Sequence, residues 1–228
     1  MPPAQNKDIV KLKDKLAQVK LPPDLNDKVT DMLDRLEHFS QGSDYTVEYD
    51  RVAHYVAWVA NLPWDKAAPA ALDLTQARAI LDKHHYGMAD SKARLIQYLS
   101  VLKLTSSHPG SATRAPILCL VGLVGTGKTT FAYAVAEALG RPIVRIPFGG
   151  MGSARDLRGQ SRLHLEAEPG AIIKAIAKVN FRNPVMLLDE IDRVADQARA
   201  DIMGVLVELL DPEQNAAFMD HYLDYPFN

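Results

Sequence analysis

The stretch that most constrains this chain is GLVGTGKT, residues 122–129, between the apolar run ILCLV (117–121) and TFAYAVAEAL (130–139). It fits G-x-x-x-x-G-K-[ST], in which glycines let backbone N–H groups turn inward around phosphate oxygens. The N-terminus of the following helix adds positive partial charge. The pattern therefore predicts a strand, a phosphate-binding loop and a helix in succession.

This loop predicts a site for ATP and Mg²⁺. Lys128 is expected to reach the β- and γ-phosphates, and the hydroxyl of Thr129 is expected to bind Mg²⁺. The predicted nucleotide-binding residues are Gly122, Leu123, Val124, Gly125, Thr126, Gly127, Lys128 and Thr129.

A second apolar run, VMLLD (185–189), ends in the adjacent acids Asp189 and Glu190. A phosphate-binding loop needs a carboxylate from a second strand for its magnesium shell, and Asp189 fits that role. Glu190 is placed to activate the water that attacks the γ-phosphate, and adjacent residues at a strand end point to different sides. The alternative interpretation is a cap for a helix over EIDRVADQARAD (190–201).

Strand-length apolar runs, including PIVRI (142–146), alternate with helical stretches in the second half of the chain. This alternation predicts an α/β fold with a parallel sheet, preceded by an all-helical arm with amphipathic stripes. We predict three parts: a helical arm (1–62), a linker and helical lead-in (63–116), and a P-loop core (117–228).

Composition excludes strong electrostatic partners. The 228 residues carry a net charge of −2, so no basic surface indicates DNA or an anionic membrane. The single cysteine, Cys119, cannot form an internal disulfide and is expected to be buried in its apolar run. No secretory signal and no apolar run near about 18 residues is visible, so a cytoplasmic location is expected.

Five stretches resemble the ATP-dependent Lon protease family, which belongs to the AAA+ class. They are DYTVEYDRVAHYVAWVANLPW (44–64), ILDKHHYGMADSKARLIQYLSV (80–101), GRPIVRIPFGG (140–150), NPVMLLDEID (183–192) and LLDPEQNAAFMDHYLDYPF (209–227). The resemblance runs from about residue 5 to the last residue. Several of these motifs are not shared by other AAA+ ATPases.

The resemblance implies a ring-forming, usually hexameric, unfoldase joined to a serine protease. Its partners would be ATP, further copies of itself, and unfolded or damaged proteins. Residues 122–129 resemble the family's nucleotide loop, and Asp189 and Glu190 its magnesium and water-activating acids. His85, Tyr86 and Gly87 match the family segment that lies near the adenine.

One departure from the family concerns the loop that grips the translocated polypeptide. The stretch is GQSRLHLEAEPG (159–170), with His164 at the aromatic position, Leu165 after it, and Glu166 where the family has glycine. An imidazole makes weaker apolar contact than a larger aromatic ring, more so when protonated. We therefore expect altered gripping by His164 and Leu165; an ordinary exposed loop is the alternative.

The second departure is that the family's next strand, arginine finger, lid and Ser–Lys protease domain do not follow in this sequence. We expect no peptidase activity, doubtful ATP hydrolysis, and unpaired edges on the strands at 117–121 and 185–189 that cost about 1–3 kcal/mol per buried unsatisfied group. Two alternative functions stay open: a remodelling factor without a protease, and a non-catalytic subunit of a Lon ring.

Overall fold

The computed structural model describes residues 3–38, 45–69, 72–106, 117–164 and 166–227. The chain divides into two compact units. The first comprises Met1–Lys66, Ser153–Arg182 and Ala216–Asn228, and the second comprises Ala67–Gly152 and Asn183–Asn215.

The helices and strands are numbered in chain order. The helices are α1 (Pro3–Ala17), α2 (Pro23–His38), α3 (Tyr45–Asn61), α4 (Leu74–His84), α5 (Ala89–Ser106), α6 (Lys128–Leu139), α7 (Arg155–Arg158), α8 (Ala171–Val179) and α9 (Arg199–Leu210). The strands are β1 (Ile143–Pro147), β2 (Val185–Asp189), β3 (Met219–Asp220) and β4 (Tyr225–Pro226). Short 3₁₀ turns cover Ile191–Arg193, Asp196–Ala198 and Asn215–Ala217.

The first unit is built on α1, α2 and α3, which pack against one another. Their apolar residues recur at helical spacing, so each helix buries one stripe and leaves its charged face in water. The buried residues of α2 are Leu25, Val29, Leu33 and Leu36, and those of α3 include Val52, Tyr55, Val56 and Val59. The prediction of an all-helical arm is confirmed. The predicted loop at 40–44 lies outside the described residues.

The first unit also contains α7, α8 and the antiparallel hairpin of β3 and β4. The hairpin is joined to α3 by a hydrogen bond from the Tyr55 hydroxyl to the Leu223 carbonyl, 2.9 Å long. Lys28 on α2 donates to the carboxylate of Asp224 at 2.6 Å. These bonds hold the C-terminal hairpin on the helical arm.

The second unit contains the parallel pair of β1 and β2, in register from Ile143 opposite Val185 to Pro147 opposite Asp189. Helix α6 packs on α4 and also contacts β2. A cluster of buried side chains, including Leu81, Leu99 and Phe131, joins α4, α5 and α6. The predicted parallel α/β fold is confirmed.

The prediction of a strand at 117–121 is wrong. These residues form no strand, and Ile117 and Val121 are 56% and 90% exposed. Among the described residues, β1 and β2 pair only with each other, so no neighbouring strand satisfies the backbone of 117–121. Cys119 in this run is exposed, which also corrects the expectation that it is buried.

Candidate nucleotide-binding site

The predicted phosphate loop leads directly into α6. Gly125 and Gly127 have φ angles of 80° and 85°, in the left-handed region, where another residue costs about 1–2 kcal/mol. Gly127 precedes the first residue of α6, and its carbonyl accepts the Phe131 N–H at 2.8 Å. The two glycines therefore form the turn that aims the helix N-terminus at the loop.

Lys128 closes the loop from inside. Its ammonium donates to the carbonyls of Gly122 and Leu123 at 2.8 Å and 2.7 Å. The Thr126 hydroxyl donates to the same Leu123 carbonyl at 2.8 Å. A Cβ on Gly122 would lie 3.2 Å from that hydroxyl, so a side chain there would crowd the loop.

The loop is open to solvent. Leu123 and Val124 are 81% and 88% exposed, and Thr129 in the first turn of α6 is half-buried. A ligand can thus reach Lys128 without a displacement of the core of the second unit.

Asp189 is held by a partner that the sequence analysis missed. The Arg145 Nε donates to Asp189 Oδ2 at 2.8 Å, from β1 to the end of β2. The Asp189 side chain is 19% exposed, against 48% for Arg145. A basic residue within the apolar run PIVRI was the available signal, since a strand tolerates such a residue where it has an acidic partner.

Glu190 has a different arginine partner from Asp189. It has a φ of 59°, which is uncommon for a residue other than glycine, and its Oε1 lies 3.2 Å from Arg193. A Cβ on Gly149 would lie 2.6 Å from its Oε2, so glycine leaves the space that this carboxylate occupies. Glu190 makes no capping bond to the short 3₁₀ turn after it, which argues against the helix-cap interpretation.

The segment predicted to lie near the adenine begins beside the phosphate loop. The His85 ring lies 5.4 Å from the Phe131 ring, and a Cβ on Gly127 would be 3.5 Å from its Cε1. His85 Nε2 is buried, and no described residue hydrogen-bonds to it. Tyr86 is fully exposed, and Gly87 turns the chain with a φ of 68°.

The structure thus places the loop, His85 and the acid pair on elements of one unit. Helix α6 joins the loop to the contact with β2, and His85 packs on α6. His164 belongs to the first unit, and Leu165 lies outside the described residues.

The base of the stretch 159–170 is anchored by Asp220, which sequence reasoning also missed. Its side chain is fully buried and accepts N–H bonds from Gly170, Tyr222 and Leu223 at 2.7, 2.8 and 3.1 Å. Burial raises the pKa of Asp220, although these N–H groups oppose the rise. The available signal was an acid within the largely apolar stretch FMDHYL.

Two features are absent from the described residues. Among them, no group of three or more His, Cys, Asp or Glu side chains is arranged to hold a metal ion. None of the helices in the described ranges is long and apolar enough to cross a membrane.

Residues 118–221 match the model of the ATPase family associated with various cellular activities (AAA). The Lon protease of Desulfosudis oleivorans is 45% identical over 85% of this chain, and Lon protease 2 of Myxococcus xanthus is 42% identical over 94%. The Lon protease of Elusimicrobium minutum is 40% identical over 97%. These alignments cover 23%, 25% and 26% of the three relatives, so the chain spans about a quarter of their length. The chain therefore belongs to the Lon family, within the segment that contains the AAA ATPase domain.

Proposed function

We propose that this chain is the ATP-binding segment of a Lon-type ATP-dependent protease. The observation that carries the proposal is the loop closed around Lys128 at the N-terminus of α6. The ammonium bonds only to loop carbonyls among the described residues, and phosphate oxygens are stronger acceptors for it than neutral carbonyls. Phosphate can therefore take over these bonds, with the helix N-terminus behind it.

The residues present fit ATP with Mg²⁺. Mg²⁺ keeps several waters and takes one or two protein ligands besides phosphate oxygens, so Thr129 and Asp189 are a sufficient protein set. Bound there, Mg²⁺ would neutralise part of the phosphate charge. Arg145 fixes the Asp189 carboxylate through Oδ2, which leaves Oδ1 for a ligand.

Glu190 supplies the base in this proposal. Its carboxylate lies over Gly149, whose missing side chain leaves room beside it, and Arg193 steadies the other oxygen. A carboxylate held in this way can orient a water and accept its proton. His85, Tyr86 and Gly87 would border the adenine, since His85 lies beside Gly127.

The proposal for the whole protein goes beyond this segment. We infer a homo-oligomeric, hexameric ring in the cytoplasm, with unfolded or damaged proteins as substrates and the peptidase site elsewhere in the protein. The similarity to Lon proteases supports these roles. In that arrangement residues 1–62 are the helical arm, 63–116 the lead-in and 117–228 the ATPase core. His164 and Leu165 would contact the polypeptide.

The experiment is titration of a fluorescent ATP analogue with Mg²⁺, with phosphate release read from the same samples. Lys128→Ala should weaken binding by about 100-fold or more, because a charge-assisted contact to phosphate is lost. Lys178→Ala, an exposed lysine on α8, is the matched control and should bind as the wild type does. Equal affinity of Lys128→Ala and wild type would overturn the proposal.

Glu190→Gln separates binding from hydrolysis. It should retain nucleotide affinity within about threefold and lose most phosphate release, because an amide cannot accept the proton of water. Unchanged phosphate release in Glu190→Gln would remove this residue from the mechanism.

A further inference from the structure

A cavity of about 450 Å³ lies within the first unit, between α3, the stretch 159–170 and the C-terminal hairpin. It is lined mainly by polar and charged side chains. They are Asp50, Arg51, His54, Arg162, His164 and Tyr222, with Val47 and Ala167 as the apolar part. Ligand sites are concave, and a few polar groups in them fix the orientation of the ligand.

The lining is cationic. Two guanidinium groups and two imidazoles face one carboxylate, that of Asp50, so the lining is net positive even with both histidines neutral. Arg51 has an exposed ion pair with Glu48 at 3.2 Å, and such pairs hold their partners weakly. The Arg51 guanidinium can therefore turn to an incoming anion.

Arg162 is positioned in advance. Its guanidinium lies over the Tyr55 ring, 4.1 Å from the ring centre, and 3.5 Å from the sulfur of Met32. Asp224 lies 3.8 Å away, but its carboxylate is already bonded to Lys28. Stacking fixes the plane of the guanidinium, and its two terminal nitrogens have only weak contacts, with a thioether at 3.5 Å and a carboxylate at 3.8 Å, which a planar acceptor can replace.

His54 is held in the cavity wall by Tyr222. Its Nδ1 lies 3.0 Å from the Tyr222 hydroxyl, and burial raises the pKa of Tyr222 to about 12, so the phenol keeps its proton. The hydrogen bond between them can run in either direction, and in the tautomer that carries its proton on Nε2 the imidazole offers an N–H to the cavity. The cavity therefore presents N–H donors from the two arginines, and from His54 in that tautomer.

We propose that this cavity binds the carboxylate of a polypeptide, so that the stretch 159–170 selects acidic segments. The inference deepens the proposed function, on which it rests for the polypeptide contact at His164. The arginine fork matches the two oxygens of a carboxylate, and Val47 and Ala167 accommodate the short aliphatic part of an acidic side chain. The proposal also gives a physical role to His164, since a histidine can donate to a carboxylate.

The test uses the intact chain and two fluorescein-labelled peptides, one glutamate-rich and one with every glutamate replaced by glutamine. At low salt the glutamate peptide should bind at least about fivefold more tightly than the glutamine peptide. Arg51→Gln should weaken the glutamate peptide about three- to tenfold and leave the glutamine peptide unchanged. Asp50→Asn should tighten the glutamate peptide by a similar factor, because it removes the one lining acid.

Arg199→Gln is the matched control, since Arg199 also has an exposed ion pair three residues away, with Asp196. It should leave both peptide affinities unchanged. An amidated copy of the glutamate peptide distinguishes acidic side chains from a terminal carboxylate. Thermal melts of Arg51→Gln and Asp50→Asn keep a folding defect from being taken for a loss of binding.

Equal affinity for the two peptides, or none for either, would overturn the carboxylate proposal. A shift of the affinity for the glutamate peptide in the same direction in Arg51→Gln and Asp50→Asn would also overturn it. Displacement of the peptide by inorganic phosphate at lower concentration than by acetate would assign the cavity to phosphate instead. Nucleotide binding of wild type and Lys128→Ala, measured on the same preparations, reports separately on the proposed ATPase function.

Discussion

Two loops of this protein are held by side chains of opposite charge, one buried and the other near solvent. The stretch 159–170 is tied at its base to Asp220, a buried carboxylate that accepts three backbone N–H groups. The phosphate loop is tied to Lys128, an ammonium near solvent that donates to two backbone carbonyls. Water cannot replace the first set of bonds but can replace the second. One arrangement fixes a loop permanently, whereas the other leaves a loop whose cation can exchange carbonyls for phosphate.

Glycine to alanine changes should show the largest contrast between the two loops. A Cβ on Gly170 would lie 1.9 Å from the Leu157 carbonyl oxygen, which is backbone and cannot rotate away. Gly170→Ala should cost about 4 kcal/mol or more of unfolding free energy, or prevent folding. Urea denaturation followed by circular dichroism measures it.

The matched variant in the phosphate loop is Gly125→Ala. Gly125 has a left-handed backbone, with a φ of 80°, whereas Gly170 is extended with a φ of −69°, and no atom lies within 4 Å of a Cβ built on Gly125. Its cost should stay near about 1 kcal/mol, the strain of the backbone alone. Equal costs at the two glycines would show that the Leu157 carbonyl does not pack closely against Gly170.

Removal of the anchoring side chains should give the next largest difference. Asp220→Ala leaves the N–H groups of Gly170, Tyr222 and Leu223 without their acceptor in a buried site, which should cost about 3 kcal/mol. Lys128→Ala should change the unfolding free energy by less than about 0.5 kcal/mol, because water solvates the freed carbonyls. The same urea titrations test both variants. A similar loss of unfolding free energy in Asp220→Ala and Lys128→Ala would contradict the contrast between a buried and a solvated anchor.

Asp220 should also make the unfolding free energy depend on pH, an effect that we expect to be smaller than the loss in Asp220→Ala. Because burial raises the pKa of Asp220 in the folded state, the contribution of this group is complete below its unfolded pKa and declines as pH rises through the folded value. The stability of wild type relative to Asp220→Asn should therefore fall as pH increases from about 4. Denaturation of both proteins across this range measures it, and a wild-type advantage that grows with pH would show that the three N–H bonds outweigh burial.

Local patterns predicted the parts of this protein that neighbouring residues determine. The helical stripe of α2 and the glycines of the phosphate loop depend on residues close in sequence, so both could be recognised. Pairing with distant segments could not. The runs 117–121 and 185–189 are similarly apolar, yet only the second has a strand beside it, and the partners Arg145 and Asp220 depend on contacts made by the fold.

Residues 117–121, which precede the phosphate loop, should tolerate a valine to threonine change that strand β1 does not. Val121, just before the loop, is 90% exposed, whereas Val144 on β1 is 5% exposed. Valine to threonine exchanges a methyl group for a hydroxyl, which costs about 1–3 kcal/mol when the hydroxyl is buried without a partner. Val144→Thr should show that loss in urea, and Val121→Thr should stay within about 0.5 kcal/mol of wild type. A loss above about 1 kcal/mol in Val121→Thr would mean that another polypeptide segment covers residues 117–121 in solution. The phosphate loop would then be anchored through residues 117–121 as firmly as the stretch 159–170 is anchored by Asp220.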